Sequence, residues 1–510
     1  MKKLFLSLAV LSFVAVACEG LLPINNPDNP NNPGQQETPT ALFGNELEDY
    51  QIFIDSTYLA LRLPAYSIPV SDPGMDFGRL LWVLGELPTD ESWCVWADMA
   101  YIGLSDDTWD ADNDALLFMW SKLYDELIPR SMTFLQCTEP ELLEAAGCDN
   151  STMDAIDQLR GHAWFLQGYA YSIALDLWGN AARCMNTTEQ PVMATAEEVA
   201  EYALMCLYQA SQLLPETGNG VGSALASEAL SARICMQMGR WNDALDHAMR
   251  VIQSGRYSLD NDYAALFCTN NCQSPELLFS LPYRVEDECW GGTTFLVHAS
   301  VGYQEEAEMV GSNGGWGGVI TSREYVQRFF GVDSWDYMAG TYTTLDNDVR
   351  STFFFNKYRQ EPLYWDYYMS GWSVHKFRNT GEPTSNFVNI DFPIIRYAEV
   401  LLMAAESLMR MGNIQSAQLY VAQVRERANL DVSSQVSLDA ILQEWTREFI
   451  WEARRRTNLI RFGLFTGGDY MWPWKGGVQD GTVLDESRRY YPIPSQVLAN
   501  NPNLQQNSGY

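Results

Sequence analysis

The chain of 510 residues predicts a mostly α-helical fold, a tetratricopeptide-like scaffold of helical hairpins that carries a loop-rich lobe with short β-hairpins. Two observations carry this reading. Residues 225–252 and 398–424 align on a Met-Gly pair followed by Ala five residues after the glycine: Met238, Gly239 and Ala244 in one, Met411, Gly412 and Ala417 in the other. Both also place Ala seven residues before that glycine, at Ala232 and Ala405. Small residues where two antiparallel helices cross, with glycine in the turn, mark such a hairpin, and each hairpin leaves an apolar face that only a neighbour can cover. Between the two segments, residues 255–392 are rich in Gly, Tyr, Trp and Asp and lack a sustained helical period. That stretch is too long for a linker, so it must be a structured lobe packed on the helices.

Taken in order, the chain begins with a targeting segment. Lys2 and Lys3 precede an apolar run from Leu4 to Val14, and Ala15-Val16-Ala17-Cys18 closes it with small residues. The run is too short to cross a bilayer. Its ending resembles the bacterial lipobox, with Ala15 where Leu is commoner, so Cys18 is expected to be diacylated and to become the mature N-terminus; plain secretion is the alternative. Residues 18–42, with their Pro and Asn repeats, read as an extended tether. The single domain expected over 43–510 opens with a mixed region, 43–152. Helical repeats follow at about 153–254 and 393–464, on either side of the irregular lobe at 255–392. Glu276 to Leu281 reads there as a short strand, and 465–510 is an irregular closing segment.

Composition narrows the function. The formal charge is −33, and removing residues 1–17 leaves 30 basic against 65 acidic residues, so the acidity belongs to the folded part. A chain this acidic has no surplus cations for nucleic acid or an anionic membrane face. Tryptophan is abundant at 17 residues, so either the core is very bulky or some rings face outward for a purpose.

Catalytic and metal-binding patterns are missing. No HExxH, GxSxG or phosphate-loop motif occurs, and the glycines from Gly311 to Gly318 read as a flexible loop presenting Trp316. Asp110-Ala111-Asp112-Asn113-Asp114 resembles the opening of a calcium loop, but Ala115 and Ser121 replace the Gly and Glu it requires. The four histidines, 162, 247, 298 and 375, lack ligand spacing, and no metal or other cofactor is expected. The run from Glu444 to Arg456 alternates acids and bases three to four apart and reads as ordinary ion pairs on a helix surface. Nine cysteines remain after Cys18, an odd number, so at least one stays free. Cys206 and Cys235 read as core residues. Cys137 with Cys148, and two of Cys268, Cys272 and Cys289, are the disulfide candidates.

The stretch Arg160-Gly161-His162-Ala163-Trp164-Phe165-Leu166-Gln167-Gly168-Tyr169-Ala170-Tyr171, running on to Asp176-Leu177-Trp178-Gly179, resembles the signature of the SusD/RagB outer-membrane nutrient-binding lipoproteins. Arg396 to Glu406 is similar to that family's RYAEVLLMYAEA block, and Val424-Arg425-Glu426-Arg427-Ala428 to its VRxRA. The stretch Glu448–Arg461 is similar to its E-x-x-x-E-x-x-R-x-x-D-L-x-R, except that Asn458 replaces Asp. Tyr491-Pro492-Ile493-Pro494 and Asn500 to Tyr510 match its closing YPIP and NPNLxQNxGY. The resemblance implies an αα superhelix with no catalytic activity. It implies a surface-exposed lipoprotein, lipid-anchored to the outer membrane of Bacteroidetes, that sits as a lid on a SusC-like TonB-dependent transporter and passes it oligosaccharide. A peptide or glycoprotein-derived nutrient, or a purely protein-binding scaffold, are the alternatives.

Sugars offer flat CH faces to Trp and Tyr, and hydroxyls to rim polar groups. Aromatic clusters outside the helical repeats are therefore the expected ligand site. The first is Trp93, Trp96, Tyr101 and Trp109, with Asp98 and Arg79 as hydroxyl partners; the second is Trp290, Tyr303 and Trp316. A third, Trp365, Tyr367, Tyr368 and Trp372, fits transporter contact equally well. Core packing competes with ligand contact for each ring, most of all for Trp109 and Tyr101. Trp164, Trp178, Tyr397 and Trp451, within helical patterns, are expected in the core.

Overall fold

The computed structural model describes residues 42–43, 46–64, 74–359, 371–381, 385–433 and 435–510. The expected signal segment, Cys18 and nearly all of the tether lie outside them, as do Trp365, Tyr367 and Tyr368 of the third cluster. Among the described residues no helix is long and apolar enough to cross a membrane.

Helices dominate, and the two aligned segments fold as paired helices. Ala224–Gln237 turns back into Trp241–Ser254, and Tyr397–Arg410 into Ile414–Arg427. Gly239 and Gly412 sit in the turns at φ 71° and 82°, a conformation that costs an L side chain about 1–2 kcal/mol. Ala232, Ala244, Ala405 and Ala417 are fully buried at the crossings. The two hairpins, far apart in sequence, pack on each other through Trp241–Ser254 and Tyr397–Arg410. The row continues through Ala196–Leu213 to the long helix Asn150–Trp178, capped by Asp149. Gly161 and Gly168 let those two helices touch: a Cβ on either would lie 2.9 Å and 2.7 Å from Leu214 and Leu207.

The region 43–152 is more helical than its composition suggests, with Leu47–Ala60, Phe77–Glu86 and a continuous run from Asp114 to Cys137 that widens into a π-helical turn over Lys122–Leu127. The Glu276–Leu281 expectation resolves into strand Leu277–Leu281, paired antiparallel with Phe392–Arg396; the start of the expected second repeat is therefore a strand. A hairpin of Val332–Asp336 and Thr341–Thr344 projects from the lobe. At the C-terminus, Trp178 donates to the Pro492 carbonyl, Asn507 donates to the carbonyls of Trp178 and Tyr491, and Trp109 donates to the Tyr510 hydroxyl, so the closing segment stitches both ends of the domain. Trp178, Tyr397 and Trp451 lie in the core, and Trp164 is half-buried.

The charged run at 444–456 differs from its expectation. Its ion pairs are interior, because cations from the lobe and from the adjoining strand Phe392–Arg396 converge on it. Arg350 bonds Asp348, Glu444 and Glu448; Arg396 bonds Glu276, Glu448 and Glu452; Lys376 bonds Glu452 at 2.6 Å; all are buried. Asn458, where the family pattern has Asp, still accepts from Arg461 at 2.8 Å. The disulfide candidates are also corrected, since none of the described cysteines is disulfide-bonded. Cys289 donates instead to the Arg62 carbonyl and Cys268 to the Ala264 carbonyl, while Cys137 packs in an apolar cluster with Cys148 at its edge.

Candidate functional site

Two of the three aromatic clusters meet at one place, and backbone geometry explains how. Asp76 caps the Phe77–Glu86 helix by accepting from the Arg79 amide, and the same carboxylate accepts from the Gly292 amide at 3.0 Å and from the Tyr283 hydroxyl. Burial raises its pKa to about 6. This knot ties the Phe77 helix to the start of Gly292–His298. Side chains there would collide: a Cβ on Gly291 would lie 2.3 Å from the Asp76 carboxyl, and one on Gly292 would lie 1.9 Å from the Tyr283 ring. The bare backbone sets the position of Trp290 just before it.

From the other side, strand Trp93–Cys94 pairs antiparallel with Val319–Ile320, and the Val95 amide donates to the Gly318 carbonyl at 2.8 Å. Trp96 therefore falls across Gly318, where a Cβ would lie 1.8 Å from its indole nitrogen. That nitrogen donates to the Trp316 carbonyl at 3.3 Å. The Trp316 amide in turn donates to the His298 carbonyl at 2.9 Å.

The outcome is an arc of half-buried rings. Trp316 lies 6.4 Å from Trp96 and 6.0 Å from Trp290, and Trp290 meets Phe387 at 4.6 Å. Buried His298 stacks flat behind Trp316, 5.0 Å away at 18°. Its Nδ1 faces the Gly314 carbonyl at 2.8 Å and its Nε2 the Asn386 carbonyl at 3.0 Å. Burial lowers its pKa, which favours the neutral ring, so one of the two nitrogens donates. Phe295 fills the floor, in ring contact with Trp96 and Trp316.

Other predicted residues take different places. Trp93 points inward, 5% exposed, into a small cluster with Ile320 and Trp474, because its strand pairing turns that face to the interior. Tyr101 is 1% exposed and its hydroxyl donates to the Met75 sulfur. Arg79 is buried with its guanidinium over the Phe295 ring at 4.4 Å and the Tyr101 ring at 5.5 Å, so it supports the floor instead of facing a ligand. Asp98 stands exposed two residues from Trp96, one oxygen capping the Met99–Ser105 helix. Tyr303 stands apart from the arc and packs on Tyr358 at 6.1 Å. Trp109 and Trp372 are core residues. Sequence reasoning missed Phe387, an isolated ring in a polar stretch with no pattern around it, and His298, whose role as a backing plate leaves no spacing signal.

The arc brings half-buried rings together at angles of 46–60° to one another, an apolar surface that suits the successive CH faces of a chain of sugar rings. Among the described residues, no group of three or more His, Cys, Asp or Glu side chains is placed to hold a metal ion. At 110–114, Asp110 accepts from the Asp112 amide and Asn113 caps the following helix.

Comparison with known proteins gives a consistent picture. Residues 275–510 match the SusD family. The chain is similar to the starch-binding protein SusD of Bacteroides thetaiotaomicron, 28% identical over 495 residues that cover 85% of this chain and 86% of the relative. Its fold is similar to that of a SusD superfamily protein of Bacteroides vulgatus (TM-score 0.69, 18% identity, 91% of this chain and 99% of the other). It is similar as well to surface glycan-binding protein A of Bacteroides thetaiotaomicron, solved in complex with laminarihexaose (TM-score 0.67, 20% identity, 90% and 99% covered).

Proposed function

We propose that this chain, whose residues 275–510 belong to the SusD family and whose fold is that of the SusD superfamily, is a surface glycan-binding lipoprotein that captures oligosaccharide and passes it to a SusC-like TonB-dependent transporter. The observation that carries the reading is the arc of Trp96, Trp316, Trp290 and Phe387, backed by His298 and Phe295. Rings half-buried in a rigid frame present their faces at little ordering cost, which suits stacking on sugars. Asp98 at the rim supplies a carboxylate oxygen for a hydroxyl. The ligand site is the arc with Asp98; Trp93, Tyr101 and Arg79 hold it from behind, and Tyr303 lies outside it.

Similarity to a protein named for starch binding, and to one solved with laminarihexaose, supports a glycan ligand. The function is binding without turnover, so incubation with polysaccharides should release no new reducing ends. Anchoring is assigned to a diacylated Cys18, and Cys18→Ala should move the protein from the outer-membrane fraction to the soluble fraction. The test of the site is a glycan array followed by calorimetry of the best hit on Trp96→Ala, Trp316→Ala and Trp290→Ala. Loss of affinity in these variants with an unchanged fold supports the reading; full affinity in all three would reject it. Co-purification with a SusC-like outer-membrane transporter tests the partner.

A further inference from the structure

A second cleft opens away from the arc, at the π-helical turn. Widening of the helix at Lys122–Leu127 brings Trp120 and Tyr124 face to face at 4.1 Å and 26°, and the two rings floor a cavity of about 290 Å³. Its walls are the connection at 184–191 between strands Ala181–Arg183 and Val192–Ala194, and the C-terminal helix Ser495–Asn500. The walls are pinned to each other. Asn501 donates to the Pro191 carbonyl at 2.8 Å, Gln190 to the Asn500 carbonyl at 3.3 Å, and Thr187 to Gln136 at 3.0 Å.

The lining is distinctive in its chemistry. Aromatic and apolar groups from Trp120, Tyr124, Met132 and Leu504 face the side-chain amides of Asn186, Gln190, Gln496 and Asn500. Asp125 and Glu189 add two carboxylates, and no Lys, Arg or His lines the cavity. An anionic ligand is thereby excluded. Trp120 is only 4% exposed and borders this space together with Tyr124.

We infer that this cleft is a second binding site, independent of the arc, for a neutral sugar or the end of a short glycan. Stacked rings below, with amides and carboxylates around, match a hydroxyl-rich ring with an apolar face. The volume sits near the lower end of the range of small-molecule sites, about 300–1,000 Å³, which suits a short saccharide and not a long chain.

Hydrogen exchange on the full chain tests this with glucose, galactose, mannose, xylose, N-acetylglucosamine, maltose and cellobiose as probes, and tetramethylammonium as a cationic control. At about ten times its Kd, a bound sugar should slow exchange about tenfold at both 184–191 and 496–504. That protection should persist in Trp316→Ala, where the arc is disabled, and vanish in Asn500→Trp or, if that variant misfolds, in Gln496→Trp. The inference is overturned if none of the sugars protects both segments, if protection disappears in Trp316→Ala, or if only the ammonium ion protects. Because the arc variant is read separately, failure here leaves the arc reading standing, and failure of the arc leaves this one standing.

Discussion

Trp316 owes its position to contacts that no single side chain supplies. Its amide is bound to the His298 carbonyl, its carbonyl to the Trp96 indole, and its inner face to the His298 ring. Removing the ring should cost about 1.5 kcal/mol or more of binding, roughly a tenfold loss of affinity. Gly318 gives a sharper test, because it touches no ligand. Gly318→Ala places a methyl where the Trp96 indole now lies and must swing that ring aside. Calorimetry should show the alanine variant losing about as much affinity as Trp96→Ala, while its circular dichroism stays that of the parent. An unchanged affinity would mean that Trp96 is not part of the platform. The residue scale is also where sequence reading ran out. Trp93 and Trp96 are three apart in an irregular stretch, and the ring that faces inward is decided by a two-residue strand whose partner lies more than two hundred residues away. Nothing local encodes such a pairing, so both rings read as equal candidates. Arg79 read as a hydroxyl partner because its cap at Asp76, and hence the direction of its helix, depends on the distant Gly292 and Tyr283.

The elements divide by how local their causes are. The hairpins around Gly239 and Gly412 were legible because their small residues serve helix crossings within thirty or so residues of chain. The interior ion pairs were not, since Arg350 and Lys376 arrive from the lobe, and Arg396 from the strand paired with it, to meet Glu444, Glu448 and Glu452. That network bolts the lobe, and with it the arc, to the helices. Breaking it by Arg396→Ala leaves buried carboxylates uncompensated and should cost about 3–5 kcal/mol, measured as a lower urea midpoint. Buried acids also set the response to pH. At Glu448 burial alone would raise the pKa, but Arg427, Arg396 and Arg350 bring it to about 2; at Glu306 the bonds from His375 and Arg359 do the same. Their contribution is present above the usual glutamate pKa and is lost as pH falls toward 2. Burial acts unopposed enough to raise Asp107 to about 8, Glu91 to about 7 and Asp76 to about 6. Stability tied to those protons is present below the ordinary carboxylate range and is lost as pH rises from about 4 to about 8. Melting temperatures should therefore be higher near pH 5 than near pH 8, and Asp107→Asn should shrink the difference. A melting temperature that rises over this interval would contradict the assignment.

At the scale of the whole molecule, acidity and aromatic excess separate into different roles. The formal charge of −33 keeps the surface repulsive to anions and is indifferent to neutral sugars. Most of the aromatic rings are core: Trp82, Trp109, Trp178, Trp372 and Trp451 are among the largest fully buried side chains. Four half-buried rings on the lobe and beside it, Trp96, Trp290, Trp316 and Phe387, come together in one arc, held by a strand pair, a carboxylate knot and bare glycines. The long closing segment that ties Trp109, Trp178 and Tyr491 keeps the frame from opening. The central claim is that this arc binds glycan, and the most direct measurement is calorimetry of the parent and of the Trp96→Ala, Trp316→Ala double variant against the strongest hit of a glycan array. The account predicts a saturable binding isotherm for the parent and a loss of about a hundredfold or more in the double variant, from two rings at roughly tenfold each. A double variant with the parent fold and the parent affinity would contradict it.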